Sequence, residues 1–168
     1  MKKKILLMMA AALCAGEISL AAVPLDSAAL GGITSGMTQE DIEGIYGPAD
    51  VLIPYELNRT EGGYVSKLGY GKTVVIWMGG ASASSTPKVE IIVVSANNGF
   101  ATPEGIHVGS TSREVIQAYG QPDFNYNNRG NTIARRNQPQ MLMYKATEGH
   151  HGLSFRIEKG IVTEIRVY

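Results

Sequence analysis

Hydrophobic and polar positions follow different rules in the two halves of this chain. Toward the carboxyl end they alternate. Leu153, Phe155 and Ile157 share one parity and Ser154, Arg156 and Glu158 the other. Ile161, Thr163, Ile165 and Val167 likewise alternate with Val162, Glu164, Arg166 and Tyr168. Successive side chains of a strand point to opposite faces, so the pattern predicts two strands with one core face and one wet face. Glu158-Lys159-Gly160 between them reads as a tight hairpin turn. Nearer the amino end the alternation fails. Val74, Ile76 and Met78 match the core parity, but Val75 and Trp77 occupy the other; Ile92 and Val94 match it, leaving Val89, Ile91 and Val93 opposite. That sheet is expected to be apolar on both sides, and something must cover the second side. The cover is residues 23–30 or the 55–64 loop, the other half of the chain, or a partner protein.

The chain also repeats itself at an offset of 73 residues. Residues 32–50 align without a gap on 105–123, with Gly32/Gly105, Ile33/Ile106, Gly36/Gly109, Thr38/Thr111, Tyr46/Tyr119, Gly47/Gly120 and Asp50/Asp123 identical. Each copy reads as a short helix. Thr111-Ser112-Arg113-Glu114 fits a capping box, and Thr38-Gln39-Glu40-Asp41 is a weaker form of it. Ile42, Ile45 and Tyr46, matched by Val115, Ala118 and Tyr119, fall at helical spacing as one buried stripe. Gly47 and Gly120, with a proline soon after, supply the stop. Strands are expected to follow at 68–70, 74–78 and 89–95, and at 142–144, 153–157 and 162–168. The expected fold is therefore α+β: two tandem repeats, 32–100 and 101–168, each a short helix packed on a three-stranded antiparallel meander. Internal repetition of this kind points to a duplicated module rather than a catalytic domain.

The amino terminus changes the setting. Lys2-Lys3-Lys4 precedes a short apolar run, and Ser19-Leu20-Ala21 offers small residues for cleavage, so residues 1–21 read as an export signal and 22–31 as a short lead into the first repeat. Cys14 is the only cysteine, and its surroundings make a poor lipid-attachment site; with the signal removed no thiol remains. Twelve basic and fourteen acidic side chains then remain, a balance that gives no footprint for nucleic acid. No later apolar run approaches transmembrane length.

The string Gly-x-Thr-x-x-(Asp/Glu)-(Ile/Val)-x-x-x-Tyr-Gly-x-Pro, followed by strands and preceded by an export signal, resembles the SmpA/OmlA (BamE-like) envelope modules. In its tandem form it is similar to the β-lactamase inhibitor protein (BLIP) architecture. The resemblance spans residues 32–168. It implies a non-enzymatic scaffold that binds another envelope or secreted protein, in the periplasm or cell envelope or outside the cell, with a role in outer-membrane assembly or maintenance. A secreted inhibitor of a β-lactamase-type enzyme is the alternative it carries. The chain departs from the first family in having two copies and a poor lipobox, and from the second in lacking disulfides.

Chemistry-bearing motifs are sparse. His150-His151 is the one dense titratable pair; neighbours on a strand diverge, so it reads as a polar approach to the strand starting at Leu153, with a small metal site or envelope hydrolase as the rival class. His107 reads as a solvated loop residue. Asp50 and Asp123 read as turn residues, since Asp bonds nearby backbone. No Gly-x-Ser-x-Gly elbow or phosphate loop occurs, and no cofactor is implied. The candidate binding residues are Trp77 as anchor, with Val75, Ile91 and Val93 on its face and Tyr70, Tyr55 and Tyr64 in support. The polar stretch 127–137 carrying Arg129, Arg135 and Arg136 reads as a solvated loop or, as a second candidate, a surface that grips carboxylates or phosphates.

Overall fold

The computed structural model describes residues 23–24, 28–58, 62–127, 139–147 and 151–168. Helix α1 (Gln39–Tyr46) and helix α2 (Ser112–Tyr119) are eight residues each, too short to persist without packing. Both begin with a complete capping box. Asp41 accepts the Thr38 N–H at 2.8 Å while Thr38 Oγ1 accepts the Asp41 N–H at 3.2 Å. Glu114 and Thr111 do the same at 2.6 and 3.2 Å. These bonds hold both carboxyls below their ordinary range, the backbone bond being the larger cause. Both helices stop at a glycine of positive φ, Gly47 at 76° and Gly120 at 75°, a region residues with a Cβ rarely adopt.

The strands decide the architecture. A small hairpin, β1 (Ala29–Leu30) with β2 (Ile33–Thr34), precedes α1. Then come β3 (Val51–Leu57), β4 (Tyr64–Tyr70), β5 (Val74–Gly80) and β6 (Lys88–Val94); after α2 come β7 (Phe124–Asn127), β8 (Gln140–Lys145), β9 (Gly152–Glu158) and β10 (Ile161–Val167). All eight form one antiparallel sheet in the order β3-β4-β5-β6-β10-β9-β8-β7. This overturns the expected α+β arrangement of two helix-on-meander repeats: the molecule is mostly β, a single eight-stranded sheet plus a two-stranded hairpin with two short helices. Two physical causes account for the difference. The segments after each helix, expected as loops, pair as β3 and β7 and form the sheet edges. The last strands of the two halves, β6 and β10, pair through Ile165↔Val94, Arg166↔Val93 and Val167↔Ile92, which fuses the halves into one sheet.

The core lies on one face of this sheet. Leu68, Ile76, Ile92, Phe155, Ile157 and Ile165 from the strands join Ile42 of α1, Val115 of α2 and Leu30 and Ile33 of the hairpin in one buried cluster. Each such side chain contributes on the order of 1.5–3 kcal/mol by leaving water. The expected helix stripe is only partly right: Ile42 and Val115 are fully buried, but Ile45 is 52% exposed. Val23, Ala28 and Leu30 pack into this same cluster, so these side chains do not cover the other face. Between β9 and β10, Lys159 and Gly160 both take positive φ and close the expected tight turn. A bulge between Val162 and Glu164 then shifts the phase of β10, burying Val162 and turning Ile161 out.

The two helix–sheet corners are built alike. Tyr70 Oη donates to the Gly47 carbonyl at 3.0 Å and Tyr144 Oη to the Gly120 carbonyl at 3.1 Å. Asp50 accepts the Gly71 N–H at 2.5 Å and Asp123 the Lys145 N–H at 2.7 Å. The two aspartates therefore tie each helix exit to the end of a strand some twenty residues on, rather than bonding their own turn.

Candidate protein-binding face

No described element packs on the sheet face opposite the helices. Side chains paired across an antiparallel ladder lie on the same face, so register alone maps it. One row crosses all eight strands: Val51, Gly69, Val75, Val93, Arg166, Ser154, Met143 and Phe124. Beside it, Ile53, Lys67, Trp77 and Ile91 form a second row in the first half, and Glu164, Arg156, Met141 and Tyr126 one in the second. The candidates Trp77, Val75, Ile91 and Val93 are thus brought together. Trp77 and Ile53 are each 39% exposed and Val51 is 51% exposed, while Val75, Ile91 and Val93 are half-buried by their neighbours.

Tyr70 does not join them. It pairs with Val74 on the helix side, where its ring meets Tyr46. Tyr64 has the same parity as Tyr70 and stacks obliquely on Tyr55, so these two also lie away from Trp77. Val89, expected on the second face, is buried in the core because the β5–β6 register shifts between Trp77 and Met78. Arg129, Arg135 and Arg136 lie outside the described residues, as does His150.

Charge is arranged differently across the face. At its centre Arg156–Glu158 (3.0 Å) and Arg166–Glu164 (3.5 Å) form ion pairs along their own strands. Both are partly solvated and worth little. Toward either edge a lysine covers an aromatic ring: Lys67 Nζ lies 5.1 Å from the Trp77 centroid and Lys145 Nζ 4.8 Å from that of Phe124. Phe124 in turn stacks on Tyr126 at 5.7 Å.

Beside Trp77 the same register shift leaves Glu90 unopposed, since Trp77 pairs with Ile91 and Met78 with Val89. Its carboxylate lies over Gly79, where a Cβ would meet Glu90 Oε1 at 2.0 Å. Asn58, Val65, Trp77, Met78, Glu90 and Ile91 line a groove of about 280 Å³ there. Sequence reasoning missed Glu90, Lys67 and the Phe124–Tyr126 patch; the glycine pair ending β5 was the available signal for a close approach.

Elsewhere His107 is not simply solvated. Its Nδ1 lies 3.2 Å from both Ser110 Oγ and the Gly105 carbonyl, and Ser110 Oγ accepts the His107 N–H, which makes a self-contained turn. Tyr119 Oη donates to Glu104, and burial first, then that bond, pushes the Tyr119 phenol far above its ordinary value. Among the described residues no group of three or more His, Cys, Asp or Glu is placed to hold a metal, and no helix is long and apolar enough to cross a membrane. Comparison with protein-family models, curated proteins and solved structures finds no match.

Proposed function

We propose that the chain is an exported, non-catalytic module of the cell envelope that binds another protein through the open face of its sheet, with outer-membrane assembly or maintenance as the setting. One observation carries this reading: Val51, Ile53, Val75, Ile91 and Val93 share the first-half face opposite the core, and Trp77 stands 39% exposed among them. Exposed apolar surface is maintained where a partner covers it, and large aromatics dominate interface energetics. The export signal read at residues 1–21 and the resemblance to BamE-like and inhibitor modules point the same way.

The test is site-specific photo-crosslinking in cells. A photoreactive residue at Val93 or Val75 should give a discrete protein adduct, and one at Gln117, exposed on α2, should not. An adduct with an outer-membrane assembly component supports the envelope role, and one with a secreted enzyme supports inhibition. Equal labelling from both sites, or none from Val93 and Val75, removes the reading.

A further inference from the structure

Resting on that reading, we infer that the groove beside Trp77 receives a basic side chain, lysine or arginine, from the bound protein. Three features converge there. The register shift re-aims Glu90, as bulges commonly do next to functional sites. Gly79 supplies the room, since any Cβ there would overlap the Glu90 carboxylate. The groove walls bring Val65, Ile91, Met78 and Trp77 together with Asn58 around that one carboxylate. An alkyl stem suits such walls and a cationic head suits their end.

Neighbouring charges leave the site open to a cation. Glu56 opposes Val65 and adds a second carboxylate on the same face. Lys88 opposes Gly79 but forms no ion pair with Glu90 among the described residues. Lys67 is already seated on the Trp77 ring, which shows that the ring accepts an ammonium group. On the same face of the second half, Arg156 and Arg166 are already paired with Glu158 and Glu164.

The probe is a library of random twelve-residue peptides displayed on phage, selected against the whole chain beginning at Ala22. Enriched peptides should carry a lysine or arginine. Their binding should fall about tenfold with Glu90→Gln, as a charge-assisted bond becomes a neutral one. It should fall about thirtyfold with Trp77→Ala, as for an interface anchor. Replacing the basic residue of the peptide by norleucine should cost the wild-type chain as much as Glu90→Gln and cost the Glu90→Gln variant nothing more. Glu90 is exposed, so Glu90→Gln leaves folding intact, and circular dichroism of each variant checks this. Peptides that need Trp77 but neither a basic residue nor Glu90 overturn this inference and leave the protein-binding reading standing. No enrichment, or binding indifferent to Trp77→Ala, overturns both.

Discussion

The helix corners of the two halves are nearly superposable in chemistry, while their open sheet faces are opposites. Each corner has the same capping box, the same positive-φ glycine, the same tyrosine-to-carbonyl bond and the same aspartate tie. On the far side, Trp77, Val75, Val93 and Ile91 in one half face Arg156, Glu158, Arg166 and Glu164 in the other. Features that folding requires are kept in both halves. Features that differ are free to serve a surface. The buried cluster lies on the helix side in both halves, which leaves the outer faces free to differ.

The strongest way to break the comparison is to disturb the core face. Phe155→Ala, at a fully buried ring touching Tyr119 and Tyr144, should cost about 3–5 kcal/mol in denaturant unfolding. Trp77→Ala should cost far less, about 0.5 kcal/mol, while removing binding. Equal losses would mean that Trp77 is core. At the corners, Asp50→Asn and Asp123→Asn should lose similar amounts, about 1–3 kcal/mol each. A large inequality would show that the two corners are alike only in geometry. Thr38→Ala and Thr111→Ala should each cost about 1 kcal/mol, read by the same unfolding curves.

The charge states sharpen the contrast between halves further. Tyr119 is far more buried than Tyr46 and its phenol is raised further. A phenol whose folded value is raised stabilises the fold below its unfolded value and loses that contribution as pH rises past it. Stability should therefore decline above about pH 10, and Tyr119→Phe should soften that decline more than Tyr46→Phe. At the acid end the signs reverse. Asp41 and Glu114 are lowered, so their support is present above the usual carboxylate range and lost as pH falls through it. Helix caps in both halves should loosen together there, as followed by amide exchange.

Much of this was legible in the sequence, and most of what was not has a common cause. Strands with unbroken apolar runs or strict alternation were found where they occur. The caps were readable because they depend on residues three apart. Missed features rest on pairings distant in sequence. β3 carries Pro54 and is exposed along most of its length, so nothing local marked it as a strand. The β6–β10 union involves residues some seventy apart. Ile45 sits at helical spacing yet faces solvent, because an eight-residue helix buries little more than one side chain per turn. The Trp77 face was legible from the failure of alternation. The bulge that places Glu90 was not, since register is set by the partner strand. Tyr70 was assigned to the wrong side although its parity with Leu68 already put it on the core face.

The central claim is that the first-half face is open in the isolated chain and that Trp77 reports it. Trp77 is the only tryptophan, so steady-state emission of the purified chain, with acrylamide quenching, reads that one site. The account predicts red-shifted, readily quenched emission in the isolated chain. Blue, unquenchable emission from the chain alone would contradict it, by showing that the face is covered from within.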